Sequence, residues 1–282
     1  MQKRIIILLL STLLFFVSGC SSKFAYNNID WMLYWYVDDF IELDKQQKSF
    51  LDSKVDKWHA WHRSNELVEY RQHLVDIKAL LQEGSMTSEQ WTQHLLRGSE
   101  HWHRFRDQIM PELSVLAIQL TDQQIIALFE ELEKNNKERI EQRNEDSLEE
   151  RIQDNKEDTQ KQIKSWTGKL TSQQVAIIND HVDQFRSTFE EWIVYRRNMQ
   201  SATKSLMLAR HQLDDFPQQL TELMAKPDKY RSSDYLLANE HNQAVFANML
   251  AELTASLTTK QKKKVFKEID DLIDDIDDLI ED

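Results

Sequence analysis

Three kinds of residue in this chain of 282 could carry chemistry: one cysteine, a few close-spaced histidines and many carboxylates. Cys20, the only thiol, closes the stretch Val17-Ser18-Gly19-Cys20. Before it come Lys3 and Arg4, an apolar run from Ile5 to Val17 broken by Ser11 and Thr12, and two small residues. That is the layout of a secretory signal peptide. The run is short for a membrane span, which needs about 20 apolar residues. Among the histidines, His59 and His62 are three apart, share a helix face and could share a metal ion. His101 and His103 flank Trp102 and would face different ways. HxxH alone is a weak signal and no HExxH is present, so no metal site is expected; these histidines read as flanking a tryptophan stripe at the edge of a core. No Ser-His-Asp order, paired-carboxylate spacing or glycine-rich turn stands out. The chain is not expected to be an enzyme.

Val17-Ser18-Gly19-Cys20 resembles the lipobox of bacterial lipoproteins. The resemblance implies cleavage between Gly19 and Cys20, a diacylglyceryl group on the Cys20 sulfur and an acyl chain on its new amino group. No other cofactor is expected. Several acyl chains hold a protein on a membrane far better than one. Ser21 and Ser22 follow, with no aspartate in second place, which by that family's sorting rule implies the outer membrane and a periplasm-facing body. The alternative is an ordinary cysteine after an uncleaved anchor.

Composition narrows the rest. Thirty-five Lys and Arg stand against 48 Asp and Glu, a formal charge of −13, which losing Lys3 and Arg4 with the signal would take to −15. So acidic a chain is a poor nucleic-acid ligand, and no nucleic-acid partner is expected. Four glycines and three prolines are too few for phosphate-binding loops or a hairpin-rich β fold. Eight tryptophans and twelve phenylalanines supply the mass of a core.

The elements that must position these residues read almost entirely as helix. The fold class expected is all-α: an elongated multi-helix bundle with long amphipathic helices after a cleaved lipoprotein signal peptide. Leu51, Val55, Trp58 and then Leu67, Tyr70, Leu74, Ile77, Leu81 form one stripe. Trp91, Leu95, Gly98, Trp102, Phe105 and Ile109 form another, with Gly98 placed for a close helix contact. Val175, Ile178, Val182, Phe185, Phe189, Trp192, Met199, Leu206, Leu213 and Phe216 predict one side of a single long helix. Pro111, Pro217 and Pro227 predict breaks or kinks. Trp31, Tyr34, Trp35, Tyr36 and Phe40 crowd the first helix. A helix apolar all round is normally buried, so these rings are expected in the core, with the membrane interface as the alternative.

Five helix starts repeat one phrase. Leu120-Thr121 with Gln124, Leu170-Thr171 with Gln174 and Leu257-Thr258 with Gln261 are the clear copies; "MTSEQW" from Met86 and "LDKQQKSF" from Leu43 are looser. Each reads as a capping box, with the Thr or Asp side chain accepting an early backbone N–H and the Gln reaching back. Leu-Thr-x-x-Gln also resembles the paired motif of the LTxxQ periplasmic proteins of the Spy and CpxP kind, small helical envelope proteins of which some are chaperones or stress sensors. The stretch "YNNIDWMLYWYVDDFIELDKQQKSFL" from Tyr26 resembles a family of uncharacterised proteobacterial lipoproteins with a domain of unknown function, which supplies no activity.

The expected organisation is a signal peptide (1–19), a lipidated tether (20–26), an N-terminal helical part (27–129), a charged helical arm (130–170), a C-terminal helical part (171–260) and an acidic amphipathic tail helix (261–282). Residues 130–161 hold few aliphatics and read as largely solvated helical arms, with a disordered linker as the alternative. In the tail, Ile269, Leu272, Ile273, Ile276, Leu279 and Ile280 form a stripe that must cover the body, a partner or a second copy. No EF-hand spacing accompanies its aspartates. The function expected is a non-catalytic, lipid-anchored interaction protein that binds envelope proteins, in the chaperone-like sense of the LTxxQ resemblance. The alternatives are a structural or assembly accessory of an envelope complex and a ligand-binding or hydrolytic protein with an unrecognised pocket. A homo-oligomer stays open.

Overall fold

The computed structural model describes residues 19–281. The signal-peptide reading of 1–18 and the side chain of Cys20 lie outside what it describes. The chain is an elongated, all-helical bundle, and no strand occurs among the described residues. The helices are α1 (Gly19–Asn27), α2 (Ile29–Val37), α3 (Lys45–Trp61), α4 (Leu67–Glu83), α5 (Ser88–Gln119) and α6 (Asp122–Glu145), then α7 (Leu148–Thr167), α8 (Ser172–Val182), α9 (Phe189–Leu208), α10 (Phe216–Ala225), α11 (Ser233–Ala255) and α12 (Thr259–Glu281). A π turn, His62–Glu66, joins α3 to α4, and a short 3-10 turn, Pro227–Tyr230, precedes α11. Among the described residues no helix is long and apolar enough to cross a membrane.

Three cores lie within the bundle. The first gathers Leu51, Val55 and Trp58 of α3 with Met110, Leu120, Ile125 and Phe129 around the α5–α6 junction, and Met207, Phe216 and Leu220. The second joins Leu74, Ile77 and Leu81 of α4 to Val265, Ile269 and Ile273 of α12. The third joins Ile178 and Val182 of α8 to Met249 and Leu253 of α11.

The acidic tail thus docks on the body. Its apolar stripe fills the second core, and its carboxylates meet cations of the helices beside it. Arg71 Nε reaches Asp277 at 2.5 Å, Lys78 pairs with Asp270, and Lys23 of α1 pairs with Asp275 at 3.1 Å and with Asp278. These cations oppose a charge that the helix C-terminus alone would disfavour.

The charged segment 130–161 is helical and has packing partners. α6 lies on α9, and where aliphatics run out polar groups take over. Asn136 is fully buried, donates to Gln200 Oε1 at 2.7 Å and accepts from Arg196 Nε at 2.8 Å. Arg139 and Arg196 stack on Trp192, and Arg143 on Phe189. α7 packs on α8 and α12. It ends at Gly168, whose φ of 79° is the left-handed conformation that glycine adopts without steric cost.

Several expectations need correction. The stripe from Val175 to Phe216 is not one helix but parts of α8, α9 and α10. The break has a substitute for helix bonding: Asn242 of α11 accepts from the Arg186 N–H and donates to the Arg186 carbonyl, each at 2.9 Å. The stripe changes partner there, from α11 to α6. Pro111 sits inside a continuous α5. Gly98 mediates no close contact, since a Cβ there would meet nothing within 4 Å. Trp102 is 43% exposed while His101 is 3% exposed, so the buried side of α5 is turned by about one residue from the expected stripe. Three of the rings expected in the core are not there: Trp31 and Trp35 are 67% and 70% exposed, and Tyr36 is 52%, whereas Tyr34 packs on the first core and Phe40 is half-buried. Leu33, Tyr34 and Val37 already supply that helix's packing side.

Candidate functional site

Two polar assemblies stand out, and each begins with a local feature of the backbone. The first begins at the π turn. Leu67 N–H bonds to His62 O, five residues back, so the turn holds one residue more than α-helix would. Glu66, the last residue of this turn, is 1% exposed. On α5, three residues apart and therefore on one face, stand His101 and Arg104. Arg104 donates to both Glu66 oxygens, Nε to Oε1 at 2.7 Å and Nη2 to Oε2 at 3.1 Å.

From this pair a line of imidazoles crosses the α4–α5 interface. His101 Nε2 lies 3.1 Å from His73 Nδ1, and His73 Nε2 lies 3.0 Å from His94 Nδ1. Arg104 Nη2 lies 2.6 Å from His101 Nδ1, and a guanidinium can only donate. His101 Nδ1 is then the acceptor. On that assignment His101 and His73 carry their protons on Nε2 and each donates to the next ring, while His101 Nδ1 and Glu66 Oε2, 3.2 Å apart, both accept from Arg104 Nη2. At the far end Arg97 pairs with Asp76 at 2.5 Å. Tyr70 packs edge-on against His101, and His62 lies between Tyr70 and Tyr26, whose hydroxyl is 3.0 Å from His62 Nδ1.

Desolvation sets the charge state of these groups. It pulls His73 down to about 3 and His62 down to about 4, and it lowers His94 and His101. It pushes Tyr26 up to about 12 and raises Tyr70. The rings are neutral at neutral pH and the phenols protonated. Chemically the line is a path of neutral donors and acceptors between two ion pairs. Among the described residues no group of three or more His, Cys, Asp or Glu could hold a metal ion. His59, read beside His62 as sharing a face, lies with it against the Tyr26 ring; His103 is exposed.

The second assembly is built from the repeated caps. Thr121 and Gln124, Thr171 and Gln174, and Thr258 and Gln261 form capping boxes at the starts of α6, α8 and α12. Asp44 with Gln47 and Thr87 with Gln90 do so at α3 and α5. The structure brings four of them together in two pairs. Gln174 and Gln261 exchange amide bonds at 3.0 and 2.8 Å. Gln47 and Gln124 do the same at 3.1 and 2.7 Å.

Each glutamine uses its second amide hydrogen on the carbonyl just before its partner's leucine. Gln47 reaches Gln119 O and Gln124 reaches Glu42 O; Gln174 reaches Ser256 O and Gln261 reaches Lys169 O. Each Oε1 also accepts from its own cap N–H. All four bonding positions of the amide are therefore filled. Arg210, 5% exposed, braces the first clasp from Asp122 Oδ1 and Leu120 O, both at 2.6 Å. The leucines seal the clasps: Leu43 and Leu120 are buried, and Leu170 and Leu257 half-buried. Gly19 and Cys20 lie in the first turn of α1, the helix that also carries Tyr26 to His62.

The sequence reading named the cap residues but not their pairing, and it passed over Glu66, His73 and His94. A signal was present. Glu66, Tyr70, His73 and Ile77 follow steps of four and three, and His94 and His101 are seven apart, which are core spacings occupied by polar residues.

An all-helical bundle with a buried imidazole line and two glutamine clasps defines a class by architecture, not by reaction. The chain belongs to the family of unknown function DUF6279, whose profile matches residues 39–236. That span holds the imidazole line and the first clasp, and stops short of Gln261 and α12. No curated protein and no solved structure matches the chain. The resemblance to the LTxxQ proteins finds no support in these comparisons.

Proposed function

We propose that this chain is a non-catalytic lipoprotein of the bacterial envelope, held on the outer membrane by acyl chains on Cys20, facing the periplasm and binding other envelope proteins. The observation that carries the reading is the position of Cys20. It follows the apolar run Ile5–Val17 and two small residues, and it stands in the first turn of α1, which Lys23 ties to α12. An anchor at that point would be continuous with the folded body.

The buried polar assemblies support a scaffold more than a reaction centre. Their donors and acceptors are spent on one another, which leaves them little to offer a substrate. The test is in two parts. Cys20→Ser should release the protein from membranes or leave it unprocessed, read by fractionation. Crosslinking in living cells should capture envelope proteins with the anchored chain and lose them with the released one. Wild-type fractionation of Cys20→Ser would defeat the anchor.

A further inference from the structure

We infer that the outward face of α2, together with Phe24 of α1, rests in the lipid–water interface of the membrane that holds Cys20. The proposal builds on the anchoring reading above and adds a second contact to it.

Phe24, Trp31 and Trp35 are each about two-thirds exposed, and Ile29, Met32 and Tyr36 are 40–52% exposed. At 100° per residue, Ile29, Trp31, Met32, Trp35 and Tyr36 fall within one half of the α2 circumference. No charged residue is among them. The opposite half, Leu33, Tyr34 and Val37, packs on the first core, and Tyr34 bonds to Lys48 O and Asp52. The outer rings are therefore not required for folding this helix onto the body. Elsewhere exposed apolar side chains are more scattered; here six fall within thirteen residues. A concentrated apolar patch marks a contact.

Three observations choose lipid as the occupant. The first is place. Trp35 is 15 residues from Cys20, nearly all of them in α1 and α2, a path of roughly 25 Å at about 1.5 Å per helical residue with one break at Asn28. The second is composition: tryptophan and tyrosine, with an apolar body and a polar tip, are the residues enriched at membrane surfaces. The third is charge. The bases that adjoin the face are engaged on the protein: Lys23 with Asp275 and Asp278, Lys48 with Asp38, and Arg139 and Arg196, beside Tyr36, on the Trp192 ring, while Asp38, Asp39 and Glu42 are exposed just beyond the face. The face therefore lacks the basic rim that draws a helix to anionic headgroups. Apolar insertion is the attraction, and a zwitterionic surface should suffice.

The test uses the chain purified with its own acyl groups and placed on phosphatidylcholine vesicles whose acyl chains carry bromine, a quencher of tryptophan emission. Trp31 and Trp35 are two of eight tryptophans, so up to about a quarter of the emission should be lost. In the double variant Trp31→Ser, Trp35→Ser that loss should fall several-fold, with circular dichroism unchanged. Anionic lipid should not increase the quenching. Equal quenching in wild type and variant overturns the proposal, as does quenching that requires anionic lipid. Absent quenching with concentration-dependent dimers by sedimentation assigns the face to a second copy and also overturns it. Co-flotation separates the two readings: a chain that floats with vesicles unquenched keeps the anchor and loses this contact, and one that does not float loses both.

Discussion

Gln174 and Gln261, 87 positions apart, form a closed pair of amide bonds in which each side chain donates to the other. Both are almost fully buried, at 1% and 5% exposure. The geometry accepts an amide and rejects a carboxylate, because a carboxylate has no hydrogen to give. Gln174→Glu, though nearly isosteric, would lose both donors and place a charge against a carbonyl. It should cost about 2–3 kcal/mol or more by urea denaturation. Glu150, the matching position in the capping box of α7, is exposed and its side chain serves only its own cap. Glu150→Gln should change stability by less than about 0.5 kcal/mol. Equal effects at the two sites would mean the clasp does not form.

The caps themselves can be tested apart from the clasps. Thr121→Ala and Thr171→Ala each remove the oxygen that accepts from Gln124 N–H and Gln174 N–H. Each should cost about 1 kcal/mol. Unchanged denaturation midpoints in both variants would show that these hydroxyls contribute nothing at the helix starts.

Acid should weaken the fold. Unfolded histidine titrates near 6.5, whereas burial holds folded His73 down to about 3 and folded His62 to about 4. Between those values the unfolded chain binds protons that the folded chain refuses. The stability is complete above about pH 6.5 and is lost as pH falls toward 4. Each such histidine removes about 1.4 kcal/mol per pH unit once well below its unfolded value. Urea midpoints measured from pH 7 to pH 5 should fall, and His73→Gln should flatten the slope. A flat profile in the parent chain would show that these rings charge without penalty.

The Glu66–Arg104 pair should respond unequally to its two possible losses. The Glu66 side chain is 2% exposed and that of Arg104 is 39% exposed. Arg104→Met strands a buried carboxylate and should cost about 3–5 kcal/mol. Glu66→Gln leaves a guanidinium that can turn to water, and should cost clearly less. A reversed order would contradict the depth assigned to the two groups.

Docking of α12 predicts a stability role for its stripe. Ile269→Ala and Ile273→Ala should each cost about 2–4 kcal/mol, because both side chains fill the second core. Proteolysis should then cut within α12 first. Variants as stable and as resistant as the parent would place the stripe elsewhere.

How much could be read from the sequence depended on range. A capping box involves residues three apart, so Thr171 and Gln174 announce one locally. The meeting of Gln174 with Gln261 depends on the whole path between them and has no local signature. Membership of an apolar stripe was legible for Leu74 and Ile77. His73 was not, since a histidine between apolar residues reads as surface until its partners on α5 are known. On α5 the mass of Trp102 drew the expected stripe one residue away from His101. On α2 the run of rings reads as apolar on all sides, but Leu33, Tyr34 and Val37 are enough to fill the contact with the first core, which leaves Trp31, Trp35 and Tyr36 outside it.

The contact between Lys23 and the two aspartates near the end of α12 brings the beginning and the end of the described chain together. Topologically the described chain is close to a ring, and α12 supplies Val265, Ile269 and Ile273 to the second core. A chain cut short before Thr259 would leave Leu74, Ile77 and Leu81 without cover. A label fused after α12 would emerge beside the first helix.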